Sequence, residues 1–369
     1  MAEPAPSGTP RPSRHRAGYI DWLRGLAVVI MILAHVVDAW TVLGPTRQTR
    51  PYFWFLVLAG MGAPLFLWLA GVAVPLAAHA RVRRGASLAE ASWSLQKRGW
   101  QIFGLALLFR LQAYVFSAGA TLYGIFKVDI LNVMGLSLVA AAWLWGRAST
   151  RRGRLSIGVL ATIAVLILTP LLRVWTWPAL IPDPIEAYLR PPPARSTFTL
   201  FPWTAFVLAG LVLGEWLATT SAEARDRFHA WCIAAGLGLA VLAYQLSFRP
   251  TLLPGSNFWT TSPAFFAIRL GAMTMVFGLL YFVLHPEGVW ARLAVPRHWS
   301  PMELLGRTSL FLYWVHVELV YGVPSIRLHK ALSFPGALVA FAIFTVLMLG
   351  LAMVKSRYWD KDAPWVASS

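Results

Sequence analysis

The chain has 369 residues, 58% of them hydrophobic and only 13% charged, with a net charge of +17. A soluble domain carries about 25% charged residues, so the composition excludes an ordinary soluble domain and points to a polytopic membrane protein. The basic residues are scattered over short connections instead of gathered on one soluble face, which argues against nucleic acid as a partner and for a record of which connections face the cytoplasm.

Residues 1–16 are rich in Pro, Ser and Arg and are expected to form a disordered cytoplasmic tail. The run Tyr19–Trp40 follows. It meets the requirement of about 20 mainly apolar residues for a membrane-crossing helix. It is longer than the apolar core of a signal peptide and has no small-residue cleavage site, so it is expected to be retained. Asp21, Arg24, His35 and Asp38 stand within it. A charged group at the bilayer centre costs about 2.5–3.5 kcal/mol on the mildest scale, and such groups face a bundle interior or a wet cavity. Arg24 and His35 are three turns apart, so they share a helix face at a separation of about 16 Å. Asp21 lies one turn before Arg24 and can pair with it. Asp38 lies one turn after His35, where a carboxylate would fix the imidazole tautomer and strengthen it as a base. The plainer reading is a set of polar pairs that fixes helix packing.

Further spans are predicted over 52–79, 95–117, 128–146, 155–175, 198–217, 229–248, 264–285, 304–324 and 332–354. With the first, they make an all-α bundle of about ten helices, one membrane domain over 17–354 and a cytoplasmic tail over 355–369. Pro64 and Pro75 should kink the second span or mark where it leaves the lipid. With the N-terminus inside, basic residues favour the inside segments by roughly two to one, which predicts both termini in the cytoplasm. Arg110 in the third span and Arg269 in the eighth lie toward the outer halves, and Asp129 and Asn132 open the fourth on one face. These residues read either as caps and snorkelling arginines or as the lining of a cavity shared with His35. In the ninth span His316 and Tyr313 share a face, and Arg307 lies toward the cytoplasm. A membrane histidine beside Tyr and Trp reads as an interhelical hydrogen bond or as a catalyst. The outer connections 173–197 and 249–263 read as interfacial anchors or as a lid. The sequence has no glycine-rich phosphate loop, no zinc-spaced Cys/His cluster and no nucleophile elbow, so no metal is expected. Phosphates would fall to Arg24, Arg98 and Arg307 at inner helix ends. The lone Cys232 reads as a small apolar packing residue.

The run Asp21-Trp-Leu-Arg-Gly-Leu-Ala-Val-Val-Ile-Met-Ile-Leu-Ala-His35 resembles the opening of the transmembrane acyltransferase superfamily, in which an Arg or Lys is followed eleven residues later by His. Ala63-Pro-Leu-Phe-Leu-Trp-Leu-Ala-Gly71 resembles the second helix of that group. Asp129-Ile-Leu-Asn-Val-Met-Gly135, Phe201-Pro-Trp-Thr-Ala-Phe-Val-Leu-Ala-Gly-Leu-Val-Leu-Gly214 and Leu305-Gly-Arg-Thr-Ser-Leu-Phe-Leu-Tyr-Trp-Val-His316 narrow the resemblance to the catalytic-domain family of heparan-α-glucosaminide N-acetyltransferase. The resemblance runs in order from residue 17 to about 354. It implies a helical bundle in a bacterial inner membrane that takes acetyl-CoA as co-substrate on the cytoplasmic side and holds no permanent cofactor. The acceptor would be an extracytoplasmic glycan or amino sugar. Membrane lipids are further partners, and a homodimer is an option. It also implies that His35 is the catalytic histidine, with Arg24 its motif partner. Donor and acceptor contacts are expected among Arg98, Arg110, Asp129, Asn132, Trp203, Arg269, Arg307 and His316. From the residues alone a rival reading stands: a transporter of a small solute or lipid-linked sugar, with Arg110, Asp129, Arg269 and His316 along its pathway.

Overall fold

The computed structural model describes residues 18–116, 122–175, 182–191, 198–251, 253, 255–284 and 300–359. The predicted N-terminal tail, the end of the C-terminal tail and large parts of the 173–197 connection lie outside them. The described residues form helices α1 (Gly18–Trp40), α2 (Arg50–Ala59), α3 (Gly62–Val82), α4 (Leu88–Phe116), α5 (Ile130–Gly146), α6 (Arg151–Val174), α7 (Asp183–Leu189), α8 (Leu200–Ala218), α9 (Arg225–Leu246), α10 (Pro263–Leu284), α11 (Pro301–Arg307), α12 (Ser309–Tyr321) and α13 (Phe334–Tyr358), with no strand among them.

Among the described residues, seven segments are long and apolar enough to cross a membrane: α1, α2 with α3, α6, α8, α9, α10 and α13. The expected count of ten is not reached on this measure. Helices α5 and α12 are apolar but only 17 and 13 residues long. The 29-residue α4 carries Glu90, Lys97, Arg98 and Arg110 and is not among the seven. It begins seven residues before the predicted 95 because Ser87 and Glu90 form a reciprocal cap, each side chain bonding the other's backbone N–H.

The second predicted span is two helices. The break falls at Gly60 and Met61, one turn before Pro64. Pro64 has no N–H for the Gly60 carbonyl, and its ring crowds that carbonyl, so the helix ends there. Pro75 stays inside an unbroken α3. The ninth predicted span is likewise divided, at Thr308 between α11 and α12. The Thr308 hydroxyl donates to the Leu304 carbonyl at 2.8 Å, a back-bond that bends helices.

Helices α1, α3, α5 and α8 supply most of the buried core, whereas α6, α9, α10 and α13 leave much of their apolar surface open. Close packing of α1 on α11 rests on two glycines. A Cβ on Gly25 would overlap the Met302 carbonyl, and one on Gly306 would overlap the Asp21 carbonyl. Gly306→Val is therefore expected to push α11 off α1 and to destabilise the protein by about 1–3 kcal/mol, measured as a lower melting temperature in detergent.

One polar cluster went unread in the sequence. Glu215 of α8 is 1% exposed. Its Oε2 accepts from His79 Nε2 of α3 at 3.0 Å and from Trp145 Nε1 of α5 at 2.8 Å. Its Oε1 lies 3.3 Å from Arg154 of α6, whose guanidinium also stacks 4.1 Å from the Trp145 ring centre. Four helices thus share one buried carboxylate.

Candidate active site

Helices α1 and α12 bring two histidines into contact from positions 281 residues apart: His35 Nδ1 lies 2.8 Å from His316 Nε2. Met302 meets Gly25 and Gly306 meets Asp21, while His316 meets His35 and Val320 accepts from Trp40 Nε1 at 3.1 Å. The paired residues run in opposite order along α11 and α12, so the two helices cross α1 at different angles. The bend at Thr308 is what lets α12 bring His316 to the histidine of α1.

The hydrogen bonds fix the protons. His316 Nδ1 lies 2.7 Å from the carbonyl of Leu312, its own i−4 residue. A carbonyl only accepts, so Nδ1 carries the hydrogen. In the neutral ring Nε2 then holds a lone pair. His35 Nδ1 must donate to that lone pair, which leaves His35 Nε2 bare. No described residue hydrogen-bonds this nitrogen. The rings lie nearly parallel, 9° apart with centres 5.1 Å apart. His316 is fully buried, and His35 is partly exposed. The chain Leu312–His316–His35 therefore leaves one unprotonated nitrogen, Nε2 of His35, on a ring held by its other nitrogen. Gln at position 316 can still accept from His35, and Ala cannot. His316→Ala is accordingly expected to cost about 1–3 kcal/mol, roughly 5- to 150-fold in any rate that depends on this nitrogen, with His316→Gln closer to wild type; activity measurements on the two variants check this.

The structure places Asp38 against Arg47: its carboxylate accepts from Arg47 Nη1 at 2.8 Å, and no hydrogen bond joins it to His35. Arg47 Nη2 also donates to the carbonyls of Asp38 and Thr41, at 2.6 and 2.9 Å. Lys330 adds a bond from its ammonium to the Asp38 carbonyl. The last carbonyls of a helix lack intrahelical partners and carry the negative end of its dipole, so two cations and one carboxylate close α1 here. Burial holds the Lys330 ammonium below its usual range, with Asp38 opposing and Arg47 adding to the effect. The side-chain hydrogen-bond partner of His35 among the described residues is His316.

The other candidates divide into groups. Arg24 pairs with Asp21 at 3.1 Å, and Asp21 also meets Arg307 at 3.4 Å, which reaches Glu303 at 3.0 Å. Arg110 pairs with Asp129 at 3.1 Å. Asp129 caps α5 together with Asn132, and Asn132 Nδ2 donates to the Tyr188 hydroxyl at 3.2 Å. This group is within electrostatic reach of Tyr313, whose ring stands 5.7 Å from that of His316. Tyr313 thus stands between the histidine pair and the ion pair of Arg110 with Asp129. Trp203 packs between Phe198 and Phe206. Arg98 is exposed and touches only Gln101, at 3.4 Å. Arg269 stacks on Phe265 and joins none of these groups.

A cleft of about 350 Å³ is lined by Arg307, Thr308, Leu310, Phe311, Trp314 and Lys355. Trp314 and His316 point about 200° apart around α12, so the cleft lies on the far side of that helix from the histidine pair.

A family model described as "Heparan-alpha-glucosaminide N-acetyltransferase, catalytic" matches residues 16–250. The match takes in His35, Arg24, Arg110, Asp129 and Trp203; it ends before Arg269, Arg307 and His316. A comparison with curated proteins finds no match.

Proposed function

The chain belongs to the heparan-alpha-glucosaminide N-acetyltransferase catalytic family, and from that premise we propose that this multi-pass membrane acetyltransferase moves an acetyl group from cytoplasmic acetyl-CoA to the amine or hydroxyl of an extracytoplasmic sugar. The observation that carries the reading is the bare Nε2 of His35, set by the hydrogen-bonded chain through His316 to the Leu312 carbonyl.

That nitrogen serves either of two routes. As a base, it takes the proton of the acceptor while the acceptor nitrogen or oxygen attacks the thioester carbonyl and the CoA thiolate leaves. As a nucleophile, it takes the acetyl group and passes it on. Both routes need a fixed tautomer. Depth along α1 supports a two-sided arrangement. His35 lies about 8 Å from the end of the helix and Arg24 about 9 Å from its start. With α1 starting in the cytoplasm, the acceptor needs to reach only a short way in, and the long arm of the donor spans the remaining depth. Arg24 and Arg307 would hold the donor phosphates by charge-assisted bonds, exchanging part of their pairing with Asp21 and Glu303. Arg110, Asp129, Asn132 and Tyr188 would meet the acceptor side.

The test is transfer of radiolabel from acetyl-CoA to amino sugars by the purified protein in vesicles. Labelled acceptor is the expected product. Uptake of sugar without label would mark a transporter instead. Label trapped on the protein without acceptor would assign the nucleophilic route.

A further inference from the structure

Arg269 differs from the partly or fully buried arginines Arg24, Arg110 and Arg154. Arg24, Arg110 and Arg154 each lie within 3.3 Å of a carboxylate. Arg269 has no hydrogen bond or ion pair to any described residue. Its guanidinium lies 3.8 Å from the ring centre of Phe265, one turn nearer the start of α10. The side chain therefore runs back along α10 toward the end of the bundle that carries the α9–α10 connection, as snorkelling arginines do.

Apolar side chains from α2, α10 and the connection before α10 surround Arg269, and we call the space between them the groove. On α2, Phe53, Leu56 and Gly60 follow one another at helical spacing on one face; Phe53 is 44% and Leu56 47% exposed. On α10 the wall is Phe265 and Arg269. Trp259, 50% exposed, closes the end, its ring 5.9 Å from Phe53 and 5.1 Å from Phe265. Gly60 keeps the groove open beside the charge: a Cβ there would stand 3.1 Å from Arg269 Nη2. The end of α2 offers the cation only partial negative charge, and its Leu56 carbonyl is already taken by the Gly60 N–H at 2.9 Å. An un-neutralised guanidinium among exposed apolar side chains calls for an anion attached to something apolar.

We propose that the seam between α2 and α10 binds an anionic phospholipid, its phosphate on Arg269 and its acyl chain along Phe53 and Leu56. The proposal rests on the membrane setting and not on acetyl transfer, so either can fail alone.

The test is native mass spectrometry of the full chain released from nanodiscs of equal phosphatidylglycerol and phosphatidylcholine. Wild type is expected to retain phosphatidylglycerol preferentially. One cation near the membrane surface contributes about 1 kcal/mol, so Arg269→Gln is expected to lower that preference about fivefold. Gly60→Asp places a carboxylate beside Nη2 and is expected to lower it equally with the arginine still present. Arg269→Lys is expected to keep most of it. Arg249→Gln, which removes an exposed charge from the α9–α10 connection, is expected to leave it unchanged. Inorganic phosphate alone should neither bind nor displace the lipid. An unchanged preference in Gly60→Asp and Arg269→Gln overturns the proposal, as does displacement by free phosphate or an equal loss in Arg249→Gln. Where Arg269→Gln fails to fold, Gly60→Asp decides.

Discussion

His35→Ala is expected to lower acetyl transfer by about 10²- to 10⁴-fold, the usual contribution of a positioned general base, while the protein still inserts and purifies. The loss should be this large because no described neighbour can stand in. His316 is fully buried, and its lone pair points at the space His35 vacates. Tyr321, the other ring beside His35, is 47% exposed, with its ring centre 5.7 Å away; its hydroxyl is protonated at neutral pH and is a poor base. Folding should survive, since the lost partner leaves one acceptor unpaired, about 1–3 kcal/mol. The measurement is turnover with radiolabelled acetyl-CoA beside equilibrium binding of the same donor. Binding should hold and turnover should fall. Wild-type turnover in the variant removes the assigned role.

Glu215→Ala is expected to be the most destabilising single change, by about 3–5 kcal/mol, because removing one partner of a buried ion pair strands the other charge. Here the stranded groups are Arg154, 6% exposed, together with the Trp145 N–H and His79. The same principle gives a rescue. Replacing a whole buried pair by apolar side chains of similar size is often neutral, so Glu215→Leu with Arg154→Met should recover much of the loss. Melting temperatures of the two variants in one detergent decide the matter. A single variant as stable as wild type would mean that water reaches this cluster.

The helices were legible in the sequence because a bilayer forces long apolar runs to hydrogen-bond internally. Their ends were less so. The α4 start depends on the Ser87–Glu90 cap and the α2–α3 break on Pro64 acting one turn back on Gly60, and both are local details that an apolar run overrides in a first reading. His35 stood out because an ionisable residue in such a run is costly. Its partner did not. Asp38 was the natural choice at one-turn spacing, but Arg47, in the connection after α1, supplies that carboxylate with a nearer countercharge. The pairing with His316 is a matter of how α11 and α12 cross α1, which spacing within one helix cannot reveal. Glu215 went unread because it closes an apolar span, where a lone acid looks like an interfacial residue. The signal was in other helices: His79, Trp145 and Arg154 lie at matching ends of theirs.

The first and last helices are also stitched together, by a parallel bridge between Thr41 and Leu332 and by the bond from Lys330 to the end of α1. A chain leaving the ribosome exposes its opening segment long before those contacts exist. The basic nitrogen has no fixed tautomer until His316 emerges, and the outer end of α1 stays open until Lys330 and Leu332 follow. On the proposed mechanism, a chain cut short before α12 has its entire opening motif in the membrane but lacks the group that fixes the His35 tautomer, and its acetyl transfer is expected to be reduced.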